Sequence, residues 1–164
     1  MKRRNLITLF VAMLLTGCSA EPSLSFKATD ITGSEFGGGF ELPDHTGKIT
    51  RLVDFRGKVV IVFFGFTNCP DVCPTTLSTL AETMKRIGPD AAALQVLMIT
   101  VDPERDSRDI MSRYVPSFDP RFIGLVPSEE QLKRVAERFK VVYIRNKPSA
   151  SGFYSVDHTA AVFV

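Results

Sequence analysis

The chain has 164 residues, of which 45% are hydrophobic and 23% charged. This composition is typical of one globular domain and excludes a disordered, collagen-like or disulfide-dense chain. The formal charge is +2, and Lys2, Arg3 and Arg4 supply all of the basic excess. Without residues 1–17 the chain has 17 basic and 18 acidic residues, so we expect no nucleic-acid partner.

The N-terminal residues have the pattern of an export signal. The basic head precedes a run of 10 residues, 6–15, that is apolar apart from one threonine, whereas a membrane-spanning helix needs about 20. The segment from Leu15 to Cys18 resembles a bacterial lipobox, in which the cysteine is acylated and becomes the first mature residue. We therefore predict a lipoprotein signal peptide over residues 1–17 and lipidation at Cys18, rather than a plain signal peptide with a stray thiol.

Lipidation would anchor the protein to a bacterial membrane, facing the periplasm, and we expect the inner membrane. Residues 18–39 are rich in Ser, Thr and Gly and end in three consecutive glycines. This composition predicts a flexible tether between the lipid and a domain over residues 40–164.

The domain is predicted to open with a β-hairpin over residues 40–52, which contains the turn residue Gly47. Residues 59–66 are continuously apolar, which is typical of a strand buried on both faces. A helix follows from Pro74 and ends before Gly88. Further strands are predicted over 94–101, 122–126, 141–144 and 159–164, with helices over 107–115 and after the capping box of Ser128 and Gln131. This alternation predicts a three-layer α/β domain with a central mixed sheet.

Two cysteines, Cys69 and Cys73, lie between the buried strand and the helix start, where backbone N–H groups and the helix dipole favour thiolate. This arrangement is similar to the local plan of the thioredoxin superfamily, although three residues separate the cysteines instead of two. Helical spacing places the two Cα atoms about 6 Å apart, which is within disulfide range. The pair could form a disulfide or bind one ion. A purely structural bridge is less favoured, because it would restrain little of the unfolded chain.

The chain's two histidines are candidates for a third ligand. His45 lies in the turn of the first hairpin and is expected to face solvent. His158 directly precedes the last predicted strand, whose start can approach the helix that carries the cysteines. We therefore predict a metal site formed by Cys69, Cys73 and His158.

Two thiolates and one imidazole suit Cu(I), and with a further oxygen ligand they can hold Cu(II). Zinc is the competing metal, but its structural sites usually take four protein ligands. Asp71 could be that fourth ligand or a solvated helix-capping charge. Asp157 could orient the His158 ring or be an ordinary turn residue.

Three stretches resemble the Sco/SenC proteins in sequence, order and separation: GFTNCPDVCP at 65–74, VDPERD at 101–106 and VDHT at 156–159. The resemblance covers residues 40–164. It implies a thioredoxin-like fold and copper binding through Cys69, Cys73 and His158. It also implies a role in supplying the dinuclear copper centre of cytochrome c oxidase subunit II. Residues 102–106 are expected to organise their loop rather than touch metal.

The sequence departs from the family pattern in two places. Asn68 stands where many members have histidine, which removes a possible extra ligand. The chain ends at Val164, whereas the family pattern continues with a turn, another strand and a terminal helix, so we expect those elements to be missing here.

The main interpretation is a metallochaperone, rather than an enzyme, that depends on a thiol reductase to keep its cysteines reduced. The first alternative is a thiol–disulfide oxidoreductase that uses Cys69 and Cys73 to keep the oxidase's copper-binding cysteines reduced. A peroxiredoxin-like peroxidase is the second alternative. Of the three interpretations, only the metallochaperone requires His158.

Overall fold

The computed structural model describes residues 27–150 and 152–164. The predicted signal peptide, Cys18 and the first part of the predicted tether lie outside the described residues. The chain divides into two units, Met1–Gly33 and Ser34–Val164. In the described part of the first, the Asp30 side chain accepts the Thr32 backbone N–H at 2.9 Å. Among the described residues, no helix is long and apolar enough to cross a bilayer.

The second unit contains all the regular elements described here. Strands β1 and β2 form an antiparallel hairpin, three strand–helix pairs follow, and a second hairpin, β6 and β7, precedes the last strand. The strands are β1 (Glu41–Pro43), β2 (Ile49–Arg51), β3 (Val59–Gly65), β4 (Leu94–Thr100), β5 (Ile123–Leu125), β6 (Tyr143–Arg145), β7 (Val156–His158) and β8 (Val162–Phe163). The helices are α1 (Val72–Ile87), α2 (Arg108–Tyr114) and α3 (Glu129–Phe139).

The central sheet has the strand order β5-β4-β3-β8. Strands β3, β4 and β5 are parallel, and β8 runs antiparallel to β3, so the sheet is mixed, as predicted. In β3 every residue from Ile61 onward is buried, and in β4 every residue from Gln95 onward is buried. Strands covered on both faces need apolar side chains at every position, and this requirement accounts for the uninterrupted hydrophobic sequence of β3.

An aromatic cluster fixes the last strand against the core. Phe163 of β8 packs edge-on against Phe139 of α3 and Phe64 of β3, with ring centroids 5.1 and 6.2 Å apart. Phe36 also packs against Phe163 at 6.1 Å, and the Gly37 N–H donates to the Arg138 carbonyl at 3.0 Å. Phe36 and Gly37 therefore already contact the domain.

The C-terminal region differs from the expected single strand over 159–164. The structure instead has the short strands β7 and β8, and β7 pairs with β6. The Thr159 N–H donates to the Val142 carbonyl at 2.9 Å, and the Thr159 hydroxyl accepts the Val142 N–H at 3.1 Å. These bonds extend the β6–β7 hairpin and hold residue 159 outside the central sheet.

The sheet topology brings His158 to the carboxyl end of β3. Because β8 runs antiparallel to β3 with Val162 opposite Phe63, the residues that precede β8 pass beyond the end of β3. The loop that carries the cysteines starts there, after Gly65. The two predicted parts of the site therefore meet at one edge of the sheet, where open α/β sheets commonly place their ligands.

Candidate metal centre

A tight turn and the first turn of α1 position the two cysteines. The Cys69 N–H donates to the Phe66 carbonyl at 3.2 Å, which turns the chain directly after β3. The Cys73 N–H then donates to the Sγ of Cys69 at 3.4 Å. Cys73 is fully buried, Cys69 is half-buried, and both are free thiols. A backbone N–H at a helix start stabilises negative charge on the sulfur that it contacts.

The absence of a side chain at Gly65 makes room for Cys73. A Cβ atom on Gly65 would lie 3.0 Å from the Sγ of Cys73 and 2.7 Å from Cε1 of Phe63. Both separations are shorter than ordinary van der Waals contacts, so glycine is required at the end of β3 for this packing.

His158 presents one ring nitrogen to the sulfurs. Its Nε2 lies 3.6 Å from the Sγ of Cys73, and its Nδ1 lies 3.1 Å from the backbone carbonyl of Thr159. A carbonyl oxygen can only accept, so Nδ1 carries the proton and Nε2 presents its lone pair to the sulfur. Phe66 packs edge-on against the imidazole, with a centroid distance of 5.8 Å, and limits its rotation.

The ligand atoms of Cys69, Cys73 and His158 all lie within 4.8 Å of one another. Within residues 27–150 and 152–164, no other group of three His, Cys, Asp or Glu residues has this proximity. Bonds of about 2.3 Å to sulfur and about 2.0 Å to nitrogen, set 120° apart, place those two atoms about 3.7 Å apart. The observed 3.6 Å between Cys73 and His158 matches this spacing. The other pairs of ligand atoms lie within 4.8 Å, so the three residues could hold one ion between them.

Burial controls the protonation of Cys73. Removal from water is the largest cause that raises the pKa of this thiol above its usual value, and the hydrogen bond with Cys69 raises it further. The thiol is therefore protonated in the metal-free protein at neutral pH. A bound cation has to displace that proton, so metal binding at this site releases acid.

A buried carboxylate fastens the cysteine loop to β4. Asp106 accepts hydrogen bonds from the Thr67 N–H at 3.0 Å, the Thr67 hydroxyl at 2.5 Å and the Thr100 hydroxyl at 2.6 Å. Burial raises the pKa of Asp106, although these hydrogen bonds oppose the shift. The Val101 N–H also donates to the Gly65 carbonyl at 2.9 Å. Sequence reasoning expected residues 102–106 to organise their loop, and Asp106 does so.

The other two sequence candidates lie outside the ligand group. Asp71 is exposed and accepts the Thr75 hydroxyl at 3.3 Å. Asp157 is exposed as well, and the acceptor for the His158 ring is instead the Thr159 carbonyl.

The expectation that His45 faces solvent is wrong. Its side chain is partly buried, and its Nδ1 accepts the backbone N–H of Gly124 at 3.0 Å. His45 therefore connects the first hairpin to β5 and has a structural role. Its partner lies 79 positions away, so its immediate sequence context gave no sign of this contact.

Comparisons with known proteins show which family the chain belongs to. The SCO1/SenC family profile matches residues 28–164. The chain belongs to the SCO1/SenC family. A Bos taurus relative, "Protein SCO2 homolog, mitochondrial", is 41% identical over 129 residues, which cover 77% of this chain and 48% of the relative. The chain thus spans about half the length of these mammalian relatives.

Solved Sco structures share the fold. Bradyrhizobium japonicum ScoI with copper bound is 38% identical with a TM-score of 0.72, covering 77% of this chain and 80% of that one. The solution structure of apo Sco1 from Thermus thermophilus is 42% identical, with a TM-score of 0.70. The match covers 78% of this chain and 74% of that one. The predicted thioredoxin-like α/β fold is thereby confirmed, and copper is present in a related structure.

Proposed function

We propose that this protein binds one copper ion through Cys69, Cys73 and His158 and helps deliver it to the dinuclear copper centre of cytochrome c oxidase subunit II. The meeting of the two sulfurs with Nε2 of the imidazole within 4.8 Å is the observation that carries this proposal. Membership of the SCO1/SenC family and the copper-bound relative support the choice of metal.

The donor set suits copper in both common oxidation states. Two soft thiolates and an imidazole favour three-coordinate Cu(I), and an added oxygen ligand completes a Cu(II) site. The chain's own residues prepare that site before metal arrives. The Thr159 carbonyl fixes the tautomer of His158, and Phe63 and Phe66 pack on its ring and limit the access of water.

Copper titration of the reduced, full-length protein tests the proposal. We expect about one equivalent of Cu(I) to remain bound after desalting, because the site has one set of three ligands. Cys69→Ser, Cys73→Ser and His158→Ala should each fail to retain the ion. His45→Ala is the matched control, because it removes the chain's other histidine without touching the site. Retention of a full equivalent by all three ligand variants would contradict the proposed site.

We also propose that residues 1–17 direct export and that Cys18 carries a lipid that tethers the domain to the periplasmic face of the inner membrane. The apolar run followed by Leu15, two small residues and Cys18 supports this arrangement. In bacterial cells, wild-type protein should fractionate with the inner membrane and incorporate labelled palmitate. Cys18→Ser should lose the label. Equal labelling of the two proteins would contradict lipidation at this residue.

A thiol–disulfide oxidoreductase is the second candidate function, and the contact between Cys73 and the Sγ of Cys69 favours it. In that reaction the dithiol would reduce a disulfide of the target protein to two thiols and would itself become the Cys69–Cys73 disulfide. A partner reductase would then restore the dithiol. His158→Ala separates the two functions, since it should abolish copper retention and leave disulfide exchange intact. Rapid peroxide turnover would instead indicate a peroxidase.

A further inference from the structure

We infer that Arg105 is a positioning residue that holds the His158-bearing segment over the cysteine loop, acting through Tyr154 and Phe66. This inference rests on the proposed function, because its effect is measured on copper affinity. The group formed by Asp102, Arg105 and Tyr154 is called the Arg105 clamp below.

A buried carboxylate anchors the clamp. Asp102 is fully buried just after β4 and accepts a hydrogen bond from Arg105 Nε at 2.5 Å and another from the Tyr154 hydroxyl at 2.9 Å. A charged group removed from water is costly unless it is paired and hydrogen-bonded. Arg145 Nε also lies 3.7 Å from Oδ1 of Asp102 and forms a longer ion pair with it. The hydrogen bond from Tyr154, which lies 52 positions along the chain, helps to keep Asp102 paired and connects it to the segment that carries His158.

Arg105 also contacts Tyr154 directly. Its Nη1 donates to the Tyr154 carbonyl at 2.9 Å, and its Cζ lies 3.6 Å from the centre of the Tyr154 ring. Cation–π stacking and a charge-assisted hydrogen bond thus act on the same residue. Tyr154 lies four positions before His158, and β7 begins between them at Val156. Fixing Tyr154 therefore fixes the start of the strand that carries the imidazole.

The Cζ of Arg105 lies 5.7 Å from the centre of the Phe153 ring, and Arg105 also contacts the cysteine side of the site. Its Cζ lies 5.9 Å from the centre of the Phe66 ring. Phe66 in turn packs edge-on against the His158 ring and accepts the Cys69 N–H on its carbonyl. One guanidinium thus contacts both segments that supply the ligands. Its rigid, planar shape is needed for this, since a lysine ammonium cannot stack and hydrogen-bond in the same way.

A double-mutant cycle tests whether Arg105 acts through His158. Cu(I) affinity is measured by competition with a chromogenic chelator for wild type, Arg105→Gln, His158→Ala and the double variant. The competition assay detects the residual binding of the two sulfurs when the imidazole is absent. We expect Arg105→Gln to weaken binding roughly tenfold when His158 is present, and to have no further effect in the His158→Ala background.

Equal losses in both backgrounds would mean a general structural role, and no loss in either would mean no role; each result overturns the inference. Arg105→Lys should behave like Arg105→Gln. Arg113→Gln is the matched control, because it removes an arginine from an exposed ion pair with Asp109 and should leave affinity unchanged. If Arg105→Gln does not fold, the same cycle with Tyr154→Phe keeps the ring and removes only the bond to Asp102.

A metal-free measurement keeps this inference separate from the proposed function. In the reduced protein without copper, NMR relaxation should show lower backbone order parameters for residues 154–158 in Arg105→Gln than in wild type. Those of α3 should be unchanged. Unaltered order at 154–158 would overturn the clamp even if copper binds. Failure of the wild-type protein to bind copper would overturn the proposed function alone.

Discussion

The Sγ of Cys73 lies 3.6 Å from Nε2 of His158, although 85 positions separate the two residues. This contact depends on the antiparallel pairing of β8 with β3, which takes the preceding residues past the carboxyl end of β3. It also depends on the hydrogen bond that directs Nδ1 toward the Thr159 carbonyl. The candidate metal centre is therefore a product of tertiary structure, and substitutions in its supporting residues should affect it measurably.

Gly65→Ala should weaken copper binding and lower stability. The added methyl would overlap Phe63 and press on the Sγ of Cys73, and forcing an extra methyl into a packed core costs roughly 1–3 kcal/mol. Urea denaturation and Cu(I) competition would measure the two effects. Gly39→Ala is the control, since a Cβ there meets nothing within 4 Å. Wild-type affinity and stability in Gly65→Ala would contradict the packing described.

Asp106 should make stability depend on pH in a defined direction. Burial raises the pKa of the folded Asp106 carboxyl above its usual value of 3.8. Its stabilising contribution is therefore complete below pH 3.8 and is lost as the pH rises through the raised folded value. The unfolding free energy of wild type, minus that of Asp106→Asn, should fall as the pH rises above about 3.8. Urea denaturation across this range measures the difference.

Asp44→Asn provides the opposite case. Burial acts to raise the pKa of Asp44, but hydrogen bonds from Thr46, Lys48 and Thr50 outweigh it and lower the value. Its contribution is present above pH 3.8 and is lost on acidification through the lowered folded value. The unfolding free energy of wild type, minus that of Asp44→Asn, should therefore fall as the pH is lowered. Slopes of the same sign for the two variants would refute the assignment whose predicted sign differs from the one observed.

Tyr114→Phe should not destabilise the protein. Within the described residues, the Tyr114 hydroxyl is buried and has no hydrogen-bond partner. Burial, followed by the field of the two cysteines and Asp106, raises its pKa to about 12. Removing a buried unpaired hydroxyl should leave the unfolding free energy unchanged or raise it by about 1 kcal/mol. A loss of more than about 1 kcal/mol in thermal or urea denaturation would show that the hydroxyl has a partner.

Ser128→Ala should lower the unfolding free energy by about 1 kcal/mol. Ser128 caps α3 by accepting the Gln131 N–H at 3.2 Å, and the Gln131 side chain accepts the Ser128 N–H in return. Copper affinity should not change, because α3 supplies no ligand. Ser128→Asp, which keeps a capping oxygen, should retain most of the stability. Equal losses in the two variants would exclude capping as the cause.

Much of the domain was predictable because its signals are local. The apolar run of β3, the helical spacing after Pro74 and the capping box at Ser128 each indicate an element within about ten residues. Strand β7 gave no such signal, since its three residues include Asp157 and His158 and its stability comes from pairing with β6.

The site was only partly predictable, because the contacts that form it join residues that are far apart in the sequence. Both histidines follow an aspartate and precede a threonine, so local sequence does not distinguish the ring beside Cys73 from the ring bonded to Gly124. The acceptor for His158 is a backbone carbonyl, which carries no side-chain signature. The partnership of Asp102 with Tyr154 joins distant segments, and only the folded chain shows it.

The two cysteine sulfurs differ in burial, and this difference should affect the order in which they react. Cys73 is fully buried, whereas Cys69 is only partly buried. If the proposed delivery of copper takes place, a thiolate of the receiving protein would reach the ion more readily from the side of Cys69 than from that of the buried Cys73, and Cys73 would be the later of the two sulfurs to release it. Brief exposure of the reduced protein to iodoacetamide should accordingly alkylate Cys69 well before Cys73. The reverse order of alkylation would contradict this order of release.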